Sequence, residues 1–113
     1  MKVIIAGSRD YHDYDTLLEA IKESGFTITE VISGMASGVD QLGIRYAKEN
    51  NLPLHEYWAE WEFYGKSAGP IRNRLMAKNA SALIAICYNG SRGTKNMIEE
   101  ATKKDLLVYT KLI

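Results

Sequence analysis

The chain has 113 residues, enough for one domain of common size and too few for two. Hydrophobic residues make up 46% and charged residues 25%, an ordinary globular composition that excludes a disordered chain. Fourteen basic side chains balance fourteen acidic ones, which disfavours a basic nucleic-acid-binding domain but leaves room for a local basic pocket. The one cysteine, Cys87, excludes an intramolecular disulfide and a cysteine-cluster zinc site. No apolar run approaches the roughly 18 residues of a membrane span, and the apolar opening stretch is too short for a signal peptide. A soluble single-domain protein of a reducing, cytoplasmic compartment is therefore expected, spanning residues 1–113.

In chain order, Lys2 to Ala6 is short, apolar and β-branched, and reads as a strand buried on both faces. Thr16-Leu17-Leu18-Glu19 has the capping-box pattern, with Thr16 as N-cap. It opens a helix with Leu17, Leu18, Ala20 and Ile21 on its apolar stripe, stopped by Gly25. A strand follows over Thr29 to Ser33, a helix over Gly38 to Asn50, and a short strand over Leu52 to Tyr57. Trp58 to Gly65 reads as an aromatic loop. A third helix within Ala68 to Asn79 carries Pro70 in its first turn and Ile71, Leu75 and Met76 on its apolar side. Ser81 to Tyr88, the most hydrophobic stretch, reads as a central strand. Asn89 to Lys95 is a glycine-containing loop, Met97, Ile98 and Ala101 carry the last helix, and Leu106 to Thr110 the last strand. Strands alternating with helices predict a parallel sheet covered on both faces. Ligands of such sheets lie beyond the carboxyl ends of the strands, where the strand order reverses.

Three of the strand-to-helix loops combine glycine with small hydroxyl residues: Gly7-Ser8-Arg9, Ser33-Gly34-Met35-Ala36-Ser37-Gly38-Val39-Asp40, and Gly90-Ser91-Arg92-Gly93-Thr94. Glycine admits positive φ and close approach of a ligand to the backbone. A helix N-terminus beside it presents free N–H groups. Any one such loop is explained by tight turns and helix caps alone; three on one sheet edge describe a cradle for phosphate or carboxylate. Gly65-Lys66-Ser67 resembles the end of a P-loop, but the first glycine of that motif would fall at Glu60 and no strand precedes it. No Gly-x-Gly-x-x-Gly follows the first strand, so an ordinary NAD site is not supported.

The second loop resembles the SGxARGxD signature of the DprA/Smf proteins, and Gly90 to Thr94 resembles the GGxGT loop of the Lonely Guy phosphoribohydrolases. Both belong to the SLOG superfamily of Rossmann-like nucleotide-binding proteins. The closer resemblance is to its YspA, cpYpsA-related branch of small bacterial and phage proteins. It rests on Gly7-Ser8-Arg9-Asp10-Tyr11, the second glycine loop, Tyr46-Ala47, Trp61, Gly65-Lys66, Ala68-Gly69-Pro70-Ile71-Arg72-Asn73-Arg74-Leu75-Met76, and Ser91 through Ala101. The resemblance implies a three-layer α/β/α fold with a five-stranded parallel sheet in the order 3-2-1-4-5. It also implies a nucleotide-type ligand. Lonely Guy enzymes carry a catalytic Glu three residues after the Thr of their loop; here that position is Met97, which counts against cleavage of a glycosidic bond. Ser37 stands where DprA-like loops usually carry Arg.

The residues expected at the ligand are Gly7, Ser8 and Arg9; Ser33, Gly34, Ala36, Gly38 and Asp40; Arg72 and Asn73; and Gly90, Ser91, Gly93 and Thr94. Arg9 and Arg72 offer planar forks for phosphate, with a surface ion pair or a solvated helix face as the alternatives. Asn73 offers a partner for a ribose or base edge. Asp40 either meets ribose hydroxyls or a metal, or simply favours a helix N-terminus. Trp58, Trp61, Phe63 and Tyr64 form a lid, a dimer contact or a stacking platform. Cys87 reads as a buried small hydrophobe, His12 and His55 as structural, and Glu99, Glu100, Lys103 and Lys104 as a solvated helix face. No resident cofactor is expected, although Mg²⁺ is compatible with a phosphate ligand. Three functions compete: a nucleotide sensor or sequestering module, favoured by Met97; a nucleotide N-glycosidase using Asp40, Glu60 or Glu99; and a nucleic-acid binder, disfavoured by zero net charge. Homo-oligomerisation through the aromatic loop or the helices is compatible with the sequence.

Overall fold

The computed structural model describes residues 1–113. Five parallel strands, β1 (Lys2–Gly7), β2 (Glu30–Ser33), β3 (Leu54–Glu56), β4 (Ala82–Cys87) and β5 (Leu107–Leu112), form one sheet in the order β3-β2-β1-β4-β5. The helices are α1 (Tyr14–Ser24), α2 (Val39–Glu49), a single turn α3 (Trp61–Tyr64), α4 (Ala68–Lys78) and α5 (Arg92–Lys103), with a 3₁₀ turn at Gly65–Ser67. The chain builds outward from β1 to β3, then returns to lay β4 against the other side of β1. The strand order therefore reverses between β1 and β4.

Alternation along β1 divides the interior in two. Val3 and Ile5 join Leu17 and Ala20 of α1 and Val39, Leu42 and Ala47 of α2 on one face. Ile4 and Ala6 join Met76 and Ala77 of α4 and Met97 and Ala101 of α5 on the other. All six residues of β4 are buried, as a strand covered on both faces requires. The expected three-layer α/β/α arrangement and strand order 3-2-1-4-5 are thus what the chain adopts. No helix is long and apolar enough to cross a membrane.

Five local expectations are corrected. Helix α1 begins at Tyr14, two residues before the expected cap. Asp13 Oδ1 accepts from the amides of Asp15 at 3.0 Å and Thr16 at 3.4 Å, while the Thr16 hydroxyl lies 2.8 Å from the Tyr11 hydroxyl and is unavailable as a cap. Leu18, assigned to the apolar stripe of this helix, is exposed. Leu75 is also exposed, because α4 turns Gly69, Asn73, Met76 and Ala77 inward at helical spacing. Glu100 is only 4% exposed, not part of a solvated face. It shares the inner side of α5 with Thr94, Met97 and Ala101, where Arg74 Nε approaches it at 3.7 Å and Lys103 Nζ at 3.9 Å. The segment after β4 is a short loop, since α5 already begins at Arg92.

The crossing of β1 with α2 leaves no room for a side chain. A Cβ on Gly7 would overlap the Ile86 carbonyl oxygen of β4 and sit 2.7 Å from Val39 Cγ2 of α2. Gly38 has φ +72° and presses on the Ser8 and Arg9 backbone. Gly93, by contrast, would place a Cβ with no heavy atom within 4 Å. Gly7→Ala and Gly38→Ala should each cost about 2–3 kcal/mol of unfolding free energy. Gly93→Ala should be neutral or stabilising by up to about 1 kcal/mol. Urea denaturation of the three variants beside the parent checks this.

Candidate functional site

A cleft of about 640 Å³ opens where the strand order reverses, at the carboxyl ends of β1 and β4. That volume falls within the roughly 300–1,000 Å³ usual for small-molecule sites. Ala6, Met76 and Met97 contribute its apolar lining, and Trp61 and Lys66 stand at its side from the segment before α4. Arg9, Arg72 and Arg92 line it as well, against two carboxylates, Asp10 and Asp40.

The first two glycine loops are locked to each other. The Val39 amide at the start of α2 donates to the Ser8 carbonyl at 3.2 Å. Ser8 Oγ donates to the Tyr88 carbonyl at 2.7 Å and accepts from the Tyr88 amide at 2.8 Å, joining the ends of β1 and β4. Ser33 Oγ accepts from the Met35 amide at 3.1 Å and donates to the Asp40 carbonyl at 3.4 Å. Both serines are fully enclosed. Met35 holds φ +62°, an uncommon state for a residue with a side chain.

Arg72 and Asp40 fasten the second loop from opposite sides. Arg72 Nη1 donates to the Gly34 carbonyl at 2.6 Å, and Asp40 Oδ2 accepts from the Ala36 amide at 3.1 Å. Gly34 lies between them: a Cβ there would be 2.9 Å from Arg72 Nη1 and 3.0 Å from Asp40 Oδ2. Arg72 Nε also donates to Asn73 Oδ1 at 3.0 Å, and Asn73 Nδ2 donates to Asn96 Oδ1 of α5 at 2.9 Å. One hydrogen-bonded chain thus runs from the β2–α2 loop through α4 to α5.

Asp40 is 5% exposed. Burial raises its pKa above the ordinary 3.8, opposed by the Ala36 amide, the nearby Arg72 and Arg9 charges and the Gly7 amide. Burial likewise lowers the Arg72 pKa from its ordinary 12.5, with the Asp40 charge acting the other way and Arg9 adding repulsion. Arg9 forms no ion pair with Asp10 or Asp13; its guanidinium lies over the Trp61 ring, 5.7 Å from the centroid.

The third loop differs from the first two by opening into the cleft. Ser91 caps α5, its Oγ accepting from the Thr94 amide at 3.3 Å and the Thr94 hydroxyl at 2.9 Å. The amides of Arg92 and Gly93 in the first turn have no partner within the helix. Gly93 adds no side chain to cover them.

Of the expected residues, Gly7, Arg9, Ala36, Asp40, Arg72, Asn73, Ser91, Gly93 and Thr94 meet around this cleft. Ser8, Ser33, Gly34, Gly38 and Gly90 do not line it. The first four support the loops from behind, and Gly90, at φ +64°, makes the turn into α5. Sequence reasoning did not assign Lys66, Gly69, Arg92 and Asn96, which also line the cleft. Gly69 was legible in principle, one helical turn before Asn73; Asn96 was not, since its pairing with Asn73 joins two helices. Cys87 is buried in β4, and His55 Nε2 lies 2.7 Å from Glu30 Oε1 at the amino end of the sheet, away from the cleft.

This geometry is that of a Rossmann-like α/β protein with a polar cleft at its strand-order reversal. The sequence model of the YspA, cpYpsA-related SLOG family matches residues 1–64, from β1 through α3. The Gene 61 protein of Mycobacterium phage D29 is similar over 117 aligned residues at 31% identity, covering 95% of this chain and 93% of the phage protein. No solved structure matches the chain. The chain belongs to the YspA, cpYpsA-related SLOG family.

The raised Asp40 pKa has a measurable sign. Between 3.8 and the raised value the folded chain holds a proton that the unfolded chain has released. Stability from this group therefore falls as pH rises through that window and is restored as pH drops back. Asp40→Asn removes the effect. The stability of the parent relative to the variant should increase as pH is lowered from 7 and level off below the ordinary value of 3.8. Urea midpoints across this range read the difference directly, and a flat difference would contradict the shift.

Proposed function

We propose that this protein binds a nucleotide or nucleotide-derived anion in the cleft between β1 and β4, as a sensor or sequestering module. The observation that carries the reading is the meeting, at the strand-order reversal, of uncovered first-turn amides of α5 with Arg9, Arg72 and Arg92. Helix amides and arginine forks are the groups that hold a phosphate. Asn73 offers its amide to a ribose or base edge, and the Trp61 ring and the two methionines offer apolar area to a base. Membership of a SLOG family is consistent with this ligand class.

A hydrolytic reading has one observation in its favour: Asp40 presents a buried carboxylate to the cleft, with its pKa raised by burial. Against it, that carboxylate already holds the Ala36 amide, Glu60 and Glu99 lie outside the cleft, and Met97 occupies the second turn of α5. Binding without bond cleavage is the better supported function.

Thermal unfolding with mono-, di- and cyclic nucleotides, with and without Mg²⁺, tests the proposal. A ligand at one hundred times its Kd stabilises the native state by about 2.7 kcal/mol, a Tm rise on the order of 10 °C for a domain of this size. Gly93→Val and Arg9→Ala should each weaken binding at least tenfold while the unliganded Tm stays within a few degrees. Chromatography of the same mixtures should recover the ligand intact. Release of free base, abolished by Asp40→Asn, would move the assignment to an N-glycosidase. Unchanged affinity in both cleft variants would place the ligand elsewhere.

A further inference from the structure

A second, smaller recess of about 250 Å³ adjoins the cleft on the side of the β2–α2 loop. The two share Arg9, Ala36, Trp61 and Arg72. These shared residues form a ridge between two basins, and the ridge carries two guanidinium groups. Beyond it the recess is lined by Met35, Ser37 and Trp58.

The chemistry of the recess is that of a stacking surface. Trp58 is 64% exposed, and its indole N–H already donates to Glu56 Oε1 at 3.2 Å. What Trp58 offers a ligand is therefore the face of its ring. Trp61 lies over Gly69, where a Cβ would come within 3.3 Å of its ring edge. Arg9 lies over that ring, its guanidinium carbon 5.7 Å from the centroid, so a cation and an aromatic ring border the recess together. The recess supplies no carboxylate to meet the hydroxyls of a bare sugar.

We propose that the two basins together take a dinucleotide: two nucleosides joined through phosphate, one base in the main cleft, the linking phosphates on Arg9 and Arg72, and the second base against Trp58 and Trp61. The inference rests on the nucleotide reading above and goes beyond it by naming the ligand class. The distribution of the parts supports it: Trp58 in the recess, the two guanidiniums shared by both basins, and Gly93 at the start of α5 in the main cleft. Base stacking on an aromatic side chain tolerates any base, so this basin adds affinity for the second ring without choosing its identity.

The test compares ADP and GDP with the corresponding diphosphate-linked dinucleosides and with ADP-ribose, by calorimetry on the full chain. The dinucleotide should bind at least tenfold more tightly than the mononucleotide, about 1.4 kcal/mol, and ADP-ribose should lack that gain. Trp58→Ala should remove the gain and leave ADP or GDP affinity unchanged. Equal affinity for mono- and dinucleotide, or an equal gain for ADP-ribose, would overturn this inference alone. Absence of binding by every nucleotide would overturn both it and the proposed function. A single-stranded decanucleotide bound as tightly as the dinucleotide would also overturn it, assigning the two basins to a polymer strand.

Discussion

The rest of this molecule depends on one crowded point, where the end of β1 passes between the end of β4 and the start of α2. Gly7 and Gly38 have no space for a Cβ at that crossing, and the Val39 amide is fixed to the Ser8 carbonyl. Ser8 then joins β1 to β4 through both polar groups of Tyr88. Because packed interiors transmit small displacements rather than absorb them, the positions of all three glycine loops follow from this contact. The first two loops are brought so close that the Val39 amide of one meets the Ser8 carbonyl of the other. The third, one strand over, is left open, and the cleft forms in front of it.

The Arg72–Gly34 hydrogen bond extends that order outward. A partly buried arginine is costly to leave without partners, and Arg72 finds them in a loop carbonyl, in Asn73 Oδ1 and in the charge of Asp40. Asn73 continues the chain to Asn96. The result is a cation whose orientation is set before any ligand arrives, the condition under which binding loses least to ordering of side chains. The same arrangement gives Arg72 two roles. It supports the second loop as well as facing the cleft, and for that reason Arg9, which has no ion pair to lose, reports on the cleft more cleanly.

The sheet was legible because its signal is strong and local. Runs such as Lys2 to Ala6 and Ala82 to Cys87 are apolar throughout their middle and too short for helices, and their alternation with amphipathic segments leaves few arrangements. The loop motifs likewise pointed to the sheet edge at which the cleft opens. What sequence could not separate was a glycine that faces open space from one that admits another strand. Gly7 and Gly93 look alike in the sequence, yet one is wedged against Ile86 and Val39 and the other faces open space. The difference is set by tertiary approach, which leaves no mark on local composition. Glu100 was missed for a similar reason: an exposed-looking charge pattern at the end of α5 conceals a carboxylate turned toward α4 by the helical repeat.

Charge arrangement argues for a small anion over a long one. The chain as a whole is neutral, so at a distance of more than about 8 Å in physiological salt it presents no net attraction to a polyanion. Inside the cleft the balance is different: Arg9, Lys66, Arg72 and Arg92 face only Asp10 and Asp40, and the amide end of α5 adds positive potential. Asp40 offsets Arg72 in part. A strand of nucleic acid gains affinity from each phosphate neutralised along its length, and needs cations laid out in a track. Here the cations converge on one concave place, an arrangement matched to a ligand whose phosphates are few and close together.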